Sequence, residues 1–165
     1  MQPPSDCTDL HGTINRVRAV VQRVTRAAVR VEGEIVSEIG EGLCVLIGVS
    51  RQDGEEDALS LADKIVGLRI FRDSDGLMNV PLGDRKMLIV SQFTLISEVG
   101  KGRRPSFVDT ASPARAQALI GCFVQRIRES GTQIAEGVFR AMMEVELVND
   151  GPVTFVIDTL DGRVL

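Results

Sequence analysis

Near the C-terminus, the stretch Val148-Asn149-Asp150-Gly151-Pro152-Val153-Thr154-Phe155 limits the fold more than any other. Two runs with strand character, Met143 to Val148 and Val153 to Ile157, meet there at four residues that each restrict or bend the backbone. Proline fixes its own φ and lacks a donor, while the glycine before it enters backbone angles closed to other residues. The local carbonyls can therefore be held in an unusual direction. One reading is a hairpin turn between two strands; the other is a rigid backbone wall beside a ligand.

The preceding residues supply the strands and helices around this corner. Val17 to Val24 is β-branched and partly alternating, and Ala28 to Glu32 has period two. Glu32-Gly33 permits a tight reversal into Glu34 to Ile39, which predicts a hairpin. Leu43 to Val49 is continuously apolar, as in a strand covered on both faces near the middle of a sheet. From Asp53 the period changes: acidic residues 53 to 57 lead into Ala58, Leu61, Ala62, Ile65 and Leu68, one apolar helix face with its negative charges at the end favoured by the helix dipole. Asp73-Ser74-Asp75-Gly76 reads as a turn, because the spacing and terminal Glu of a calcium loop are missing. Lys86 to Val90 is a second buried strand that runs into the polar Ser91-Gln92-Phe93-Thr94. A second helix is signalled by Ser112 as N-cap, Pro113 in the first turn and Gly131 as terminator. Thr132 to Phe139 is expected to be an irregular connection. The elements predict an α+β class with two main helices. Residues 1–16 are polar and turn-rich and are expected to be a disordered extension, with residues 17–165 forming a single domain.

Composition narrows the function. No apolar run reaches the ~20 residues of a membrane span, and the start lacks a signal peptide's pattern, so a cytoplasmic protein without a membrane partner is expected. Cys7, Cys44 and Cys122 are far apart and form no metal or redox motif, so they are expected to be reduced structural thiols. With no Trp or Tyr and six Phe, a platform stacking several bases in a row is not expected. The net charge of −4 argues against broad phosphate binding but leaves room for a local basic site at Lys101, Arg103 and Arg104. The arginines at 16, 18, 23, 26 and 30 are expected on the solvated face of strands. The only histidine, His11, lies in the N-terminal extension, which argues against a Ser-His-Asp or Cys-His mechanism. No dinucleotide, P-loop or metal-ligand spacing appears, and neither metal nor cofactor is expected. The remaining tools are hydroxyls, amides, backbone dipoles and groups on the substrate, which suit cleavage of an activated bond through an oxyanion.

Four motifs, in order and correctly spaced, carry a resemblance: Val17 to Val24, Ser91-Gln92-Phe93-Thr94, Arg104-Pro105-Ser106-Phe107 and Asn149-Asp150-Gly151-Pro152-Val153-Thr154. Together they resemble the D-aminoacyl-tRNA deacylase family over roughly residues 17 to 158. The resemblance implies mixed, largely antiparallel sheets in a barrel-like, layered β-β-α sandwich with helices outside, and a homodimer with pockets at the subunit interface. It implies hydrolysis of the ester joining a D-amino acid, or glycine, to the 3′-terminal adenosine of tRNA, as chiral proofreading. Ser91, Gln92, Phe93 and Thr94 match the family's pocket-lining motif. Gly151 and Pro152 match its Gly-cis-Pro motif, which reaches into the partner's pocket and rejects L-residues. Animal-type relatives carry a different first motif and a trans form of the second, so Ser-Gln-Phe-Thr favours the D-specific branch. Family members usually begin where Val17 lies, and the extension before it suggests an alternative start at that codon. Thr94 is the obvious hydroxyl, but no base is visible to activate it, so backbone N–H groups near Gln92 to Thr94 and the substrate's own 2′-OH are expected to do the chemistry. A non-catalytic dimeric module binding aminoacyl or nucleotide ends of RNA is the alternative.

Overall fold

The computed structural model describes residues 16–165; His11, Cys7 and the expected extension, apart from Arg16, lie outside the described residues. The elements are β1 (Val17–Val31), β2 (Glu34–Ile39), β3 (Gly42–Gly48), α1 (Glu55–Val66), β4 (Phe71–Arg72), β5 (Met78–Val80), β6 (Lys86–Ser91), a 3₁₀ turn (Phe93–Ile96), α2 (Pro113–Glu129), β7 (Ile134–Glu136), β8 (Glu144–Leu160) and β9 (Arg163–Val164). The main sheet runs β7-β6-β3-β1-β8-β9, with β2 pairing the far end of β1; β4 and β5 form a small separate hairpin. β3, β6 and β7 are parallel neighbours and the other pairs are antiparallel, so the expected α+β class with a mixed sheet and two helices is met. Among the described residues, no helix is long and apolar enough to cross a membrane.

Two cores follow from the alternation of side chains across this curled sheet. Val17, Ala19 and Val21 of β1 join Leu43, Val45 and Ile47 of β3 and Met87 and Ile89 of β6 against Leu61 and Ile65 of α1 and Phe123 and Ile127 of α2. Val24, Ala27 and Val29 join Cys44, Leu88 and Val90 in a second cluster. β1 serves both because Thr25 is an extra residue between the pairs Val24–Asn149 and Arg26–Val148, and this bulge reverses the parity of everything after it. Burial pushes the Cys44 thiol up to about 11, which leaves it protonated and unreactive at neutral pH.

Several local expectations are met. Glu32 and Gly33 take positive φ in the β1–β2 reversal. The acidic run caps α1: Asp57 accepts from the Gly54 N–H at 3.0 Å. Ser112 accepts from the Arg115 N–H, and Gly131, at φ +85, ends the second helix region. Asp73 accepts from the Asp75 and Leu77 N–H groups in the expected turn.

Other expectations are corrected. The final hairpin does not form: β8 is one strand through Asn149–Val153, because β1 takes its backbone hydrogen bonds on both sides of that stretch. The segments 17–24 and 28–32 are likewise one strand, bent at Thr25. Within Thr132 to Phe139, Ile134–Glu136 forms a short strand, since the open edge of β6 supplies its partners.

The turn between β3 and α1 buries a carboxylate. Asp53 is 1% exposed and accepts from the Ser50 N–H at 2.6 Å, while its own carbonyl accepts from Arg115. Burial pushes the Asp53 carboxyl up to about 6; Asp57 adds to the rise, and the Ser50 and Arg115 groups oppose it. The folded state therefore binds this proton more tightly than the unfolded chain. The stability this contributes is present below pH ~4 and lost as pH rises through about 6, on the order of 2 kcal/mol. Asp53→Asn keeps an acceptor for Ser50 without the charge. We expect urea denaturation to show it more stable than the unsubstituted protein at pH 7.5, with the difference vanishing near pH 4. Lower stability at pH 7.5 would contradict the assignment.

Candidate active site at the end of β6

β6 ends at Ser91 beside Ile47 of β3, and the Gln92 N–H donates to the Ile47 carbonyl at 2.7 Å. There the chain leaves the sheet and closes the 3₁₀ turn with Leu95 N–H to Gln92 O at 3.2 Å and Ser97 N–H to Thr94 O at 3.2 Å. Buried Ile96 anchors the turn, and Phe93 and Thr94 are exposed. A turn of this kind leaves its leading N–H groups without internal partners. Neither the Phe93 nor the Thr94 N–H donates to another group among the described residues. The Gln92 side-chain amide donates to the Thr94 hydroxyl oxygen, which leaves that hydroxyl's own proton free for a ligand. The sequence-predicted residues Ser91, Gln92, Phe93 and Thr94 thus lie together at the strand end, with the Phe93 and Thr94 N–H groups lacking an acceptor among the described residues.

The turn can sit this close to the sheet because residue 48 has no side chain. A Cβ there would lie 2.8 Å from the Gln92 carbonyl oxygen, 3.0 Å from Leu95 Cβ and 3.2 Å from Ile96 Cγ1. Gly48→Ala should displace the turn and cost about 1–3 kcal/mol, the usual penalty for overpacking. Chemical denaturation and amide chemical shifts across residues 91–97 would check this; unchanged stability with unchanged shifts would refute it.

Lys101, Arg103 and Arg104 lie beyond the turn in an exposed loop and make no ion pair among the described residues. Glu98 and Ser106 exchange backbone hydrogen bonds at 2.9 Å and close the base of that loop. Phe107 follows directly, its ring centroid 5.2 Å from that of Phe93 in an edge-to-face contact.

Gly151 and Pro152 are elsewhere. Gln22 pairs with Thr154 and Val24 with Asn149, so Asp150, Gly151, Pro152 and Val153 stand opposite the single residue Arg23 and are pushed out of the ladder. In the same protomer this excursion is four residues along and three strands across from Ser91, about 20 Å over the sheet surface. One chain alone does not bring the two motifs together. The peptide between Gly151 and Pro152 is trans, since no cis bond occurs among the described residues. This corrects the Gly-cis-Pro expectation. Gly151 makes the change of direction at φ +122, and Pro152 keeps the trans form that X-Pro bonds favour by ~0.5–1 kcal/mol.

Arg23 departs from the expectation of a solvated strand face. It is 1% exposed. Its Nη1 donates to the Ile70 carbonyl, and its Nε lies 2.9 Å from Asp150 Oδ2, out of hydrogen-bond alignment. A Cβ on residue 151 would fall 2.7 Å from Arg23 Nη2. The Asn149 side-chain amide donates to the Arg23 carbonyl at 2.9 Å and the Val153 carbonyl at 3.0 Å, spanning the excursion. The signal was present in the sequence: residues 17, 19, 21 and 23 share one parity, and the first three are buried, so an arginine at the fourth needed an internal partner. The other arginines behave as expected or nearly so, with Arg26 on Glu146 and Arg18 half-buried on Asp158.

Comparison with known proteins shows the family. The family model described as D-Tyr-tRNA(Tyr) deacylase matches residues 20–158. A D-aminoacyl-tRNA deacylase of Dehalococcoides mccartyi is 56% identical over 147 residues, 88% of this chain and 96% of the relative. Another, of Anaeromyxobacter dehalogenans, is 52% identical over 145 residues, 87% of this chain and 97% of the relative. Among solved structures, a c-Myc DNA unwinding element binding protein superposes with a TM-score of 0.81 at 38% identity, covering 87% of this chain and 99% of that one. A probable eukaryotic D-amino acid tRNA deacylase shares the fold at a TM-score of 0.72 and 20% identity. With its two motifs held on one mixed sheet and this match across most of its length, the chain belongs to the D-aminoacyl-tRNA deacylase family.

Proposed function

We propose that the protein hydrolyses the ester of D-aminoacyl-tRNA, releasing D-amino acid and tRNA, and spares L-aminoacyl-tRNA. The observation that carries this is the exposed Gln92–Thr94 turn: two unclaimed N–H groups beside a hydroxyl oriented by an amide. An aminoacyl ester is already activated, so its hydrolysis needs the developing oxyanion stabilised more than it needs a strong nucleophile. Preorganised N–H donors supply ~3–4 kcal/mol each to that task. The neighbouring 2′-OH of the terminal ribose assists the attack, and Thr94 positions the substrate.

Selection between mirror images is steric in this reading. One methylene-sized difference in a yielding apolar pocket is worth only ~1–3 kcal/mol, too little for proofreading. The excursion at Gly151 and Pro152 is stiffened by Arg23 and Asn149 and exposed on the outside. Placed against the Thr94 turn of a second copy, its backbone fills the space an L side chain requires. An unpaired sheet edge supports docking of such a second copy. From Glu144 to Ile157 the outer edge of β8 has no strand partner among the described residues, and Val148 and Val156 are 40% and 63% exposed along it. Glycine has no side chain to strike the wall, so glycyl-tRNA is also a substrate.

Three measurements check this reading. At matched enzyme, D-aminoacyl- and glycyl-tRNA should be cleaved and the L-ester should persist; a resistant glycyl ester would refute the steric wall. Thr94→Ala should fold normally and lose about 10- to 100-fold in turnover, the scale of a mispositioned substrate. Complete loss with binding intact would make Thr94 the nucleophile instead. Replacing Lys101, Arg103 and Arg104 with Gln should weaken all tRNAs alike and lower the salt slope by about 0.7–0.9 for each phosphate no longer neutralised. An unchanged slope would remove the loop from the tRNA interface.

A further inference from the structure

Two of the six phenylalanines lie side by side on the surface: Phe93 is 58% exposed and Phe107 40%. Their edge-to-face contact occupies part of each ring and leaves aromatic surface open to solvent. Phe107 is rigidly mounted. Its carbonyl accepts from both the Thr110 N–H, at 3.2 Å, and the Thr110 hydroxyl, at 2.7 Å. Thr110 bridges to Ser50, and the Ala111 N–H donates to Val49 at 3.0 Å, which ties the segment to the end of β3. Immediately before Phe107, the closed loop from Glu98 to Ser106 carries Lys101, Arg103 and Arg104 against one carboxylate, that of Glu98.

A fixed aromatic surface beside unpaired cations suits one class of ligand. Every base has a π-face to stack, and every nucleotide brings a phosphate, so single-stranded RNA engages both at once. A folded duplex offers only its phosphates. We propose that the Phe93–Phe107 pair, with the 99–105 loop, binds the unpaired nucleotides immediately preceding the terminal adenosine of the tRNA, with one base stacking on Phe107. This rests on the deacylase reading for the identity of the RNA, and it adds a stacking subsite to a region otherwise assigned only to charge. A single aromatic pair also limits the subsite to one base, in keeping with the scarcity of aromatic residues in the chain.

The test uses the full chain and a short single-stranded RNA ending in CCA, with 2-aminopurine replacing the nucleotide before the terminal adenosine. The protein should quench the 2-aminopurine fluorescence by stacking. Phe107→Tyr should retain the quenching; Phe107→Leu should lose it and bind about tenfold more weakly, within the range measured for one stacked base. No quenching by the unsubstituted protein, or equal quenching by Phe107→Leu, overturns the proposal. So does a Phe107→Leu variant whose sedimentation changes while the fluorescence signal persists, because the pair would then join two copies of the chain. Binding is read without turnover, so failure of ester cleavage is recorded separately.

Discussion

The buried guanidinium of Arg23 is the interaction on which the sheet's outer strands depend. Four residues of β8 stand opposite this one residue of β1, and the two strands regain register on either side. A buried charge is costly unless held by partners, and Arg23 finds them in the Ile70 carbonyl and the Asp150 carboxylate. Asn149 completes the arrangement by donating to the Val153 carbonyl at the far end of the excursion and to the Arg23 carbonyl on the facing strand. The protruding backbone is therefore a braced part of a strand and not a loose loop.

The geometry of both motifs depends on backbone placement. At the end of β6, Gly48 allows the 3₁₀ turn to approach the sheet, and the turn's leading N–H groups have no acceptor among the described residues. At the other end of the sheet, the lack of a side chain at Gly151 lets Arg23 pack beneath it. The proposed function joins these two backbone devices through a second copy, since one chain holds them about 20 Å apart along its sheet. The exposed edge of β8 and the exposed Thr94 turn are both surfaces that such an assembly would use.

Much of this was legible in the sequence. The unbroken apolar run of β3 marked a central strand, and Ser112, Pro113 and Gly131 marked the second helix, because those signals are local. Ser91 to Thr94 stood out as polar groups directly following a buried strand. What escaped was decided by pairing between distant segments. Asn149 to Val153 has the composition of a turn, yet β1 holds both flanks and keeps β8 continuous. Arg23 reads as one of several surface arginines until its parity with Val17, Ala19 and Val21 is counted. The trans form of the Gly151–Pro152 bond was masked by the family resemblance, which implied the opposite.

The most direct test of the central claim asks whether the wall of one copy serves the pocket of the other. Gly151→Ala should displace the wall and allow L-aminoacyl-tRNA to be cleaved; Gly48→Ala should disable the pocket while leaving its own wall intact. Co-assembling the first with an excess of the second pairs each working pocket with an intact wall. The account predicts that the ratio of D- to L-ester cleavage then rises toward that of the unsubstituted protein, whatever the dilution. A ratio that stays fixed at every mixing proportion would show that pocket and wall belong to the same chain, and would contradict it.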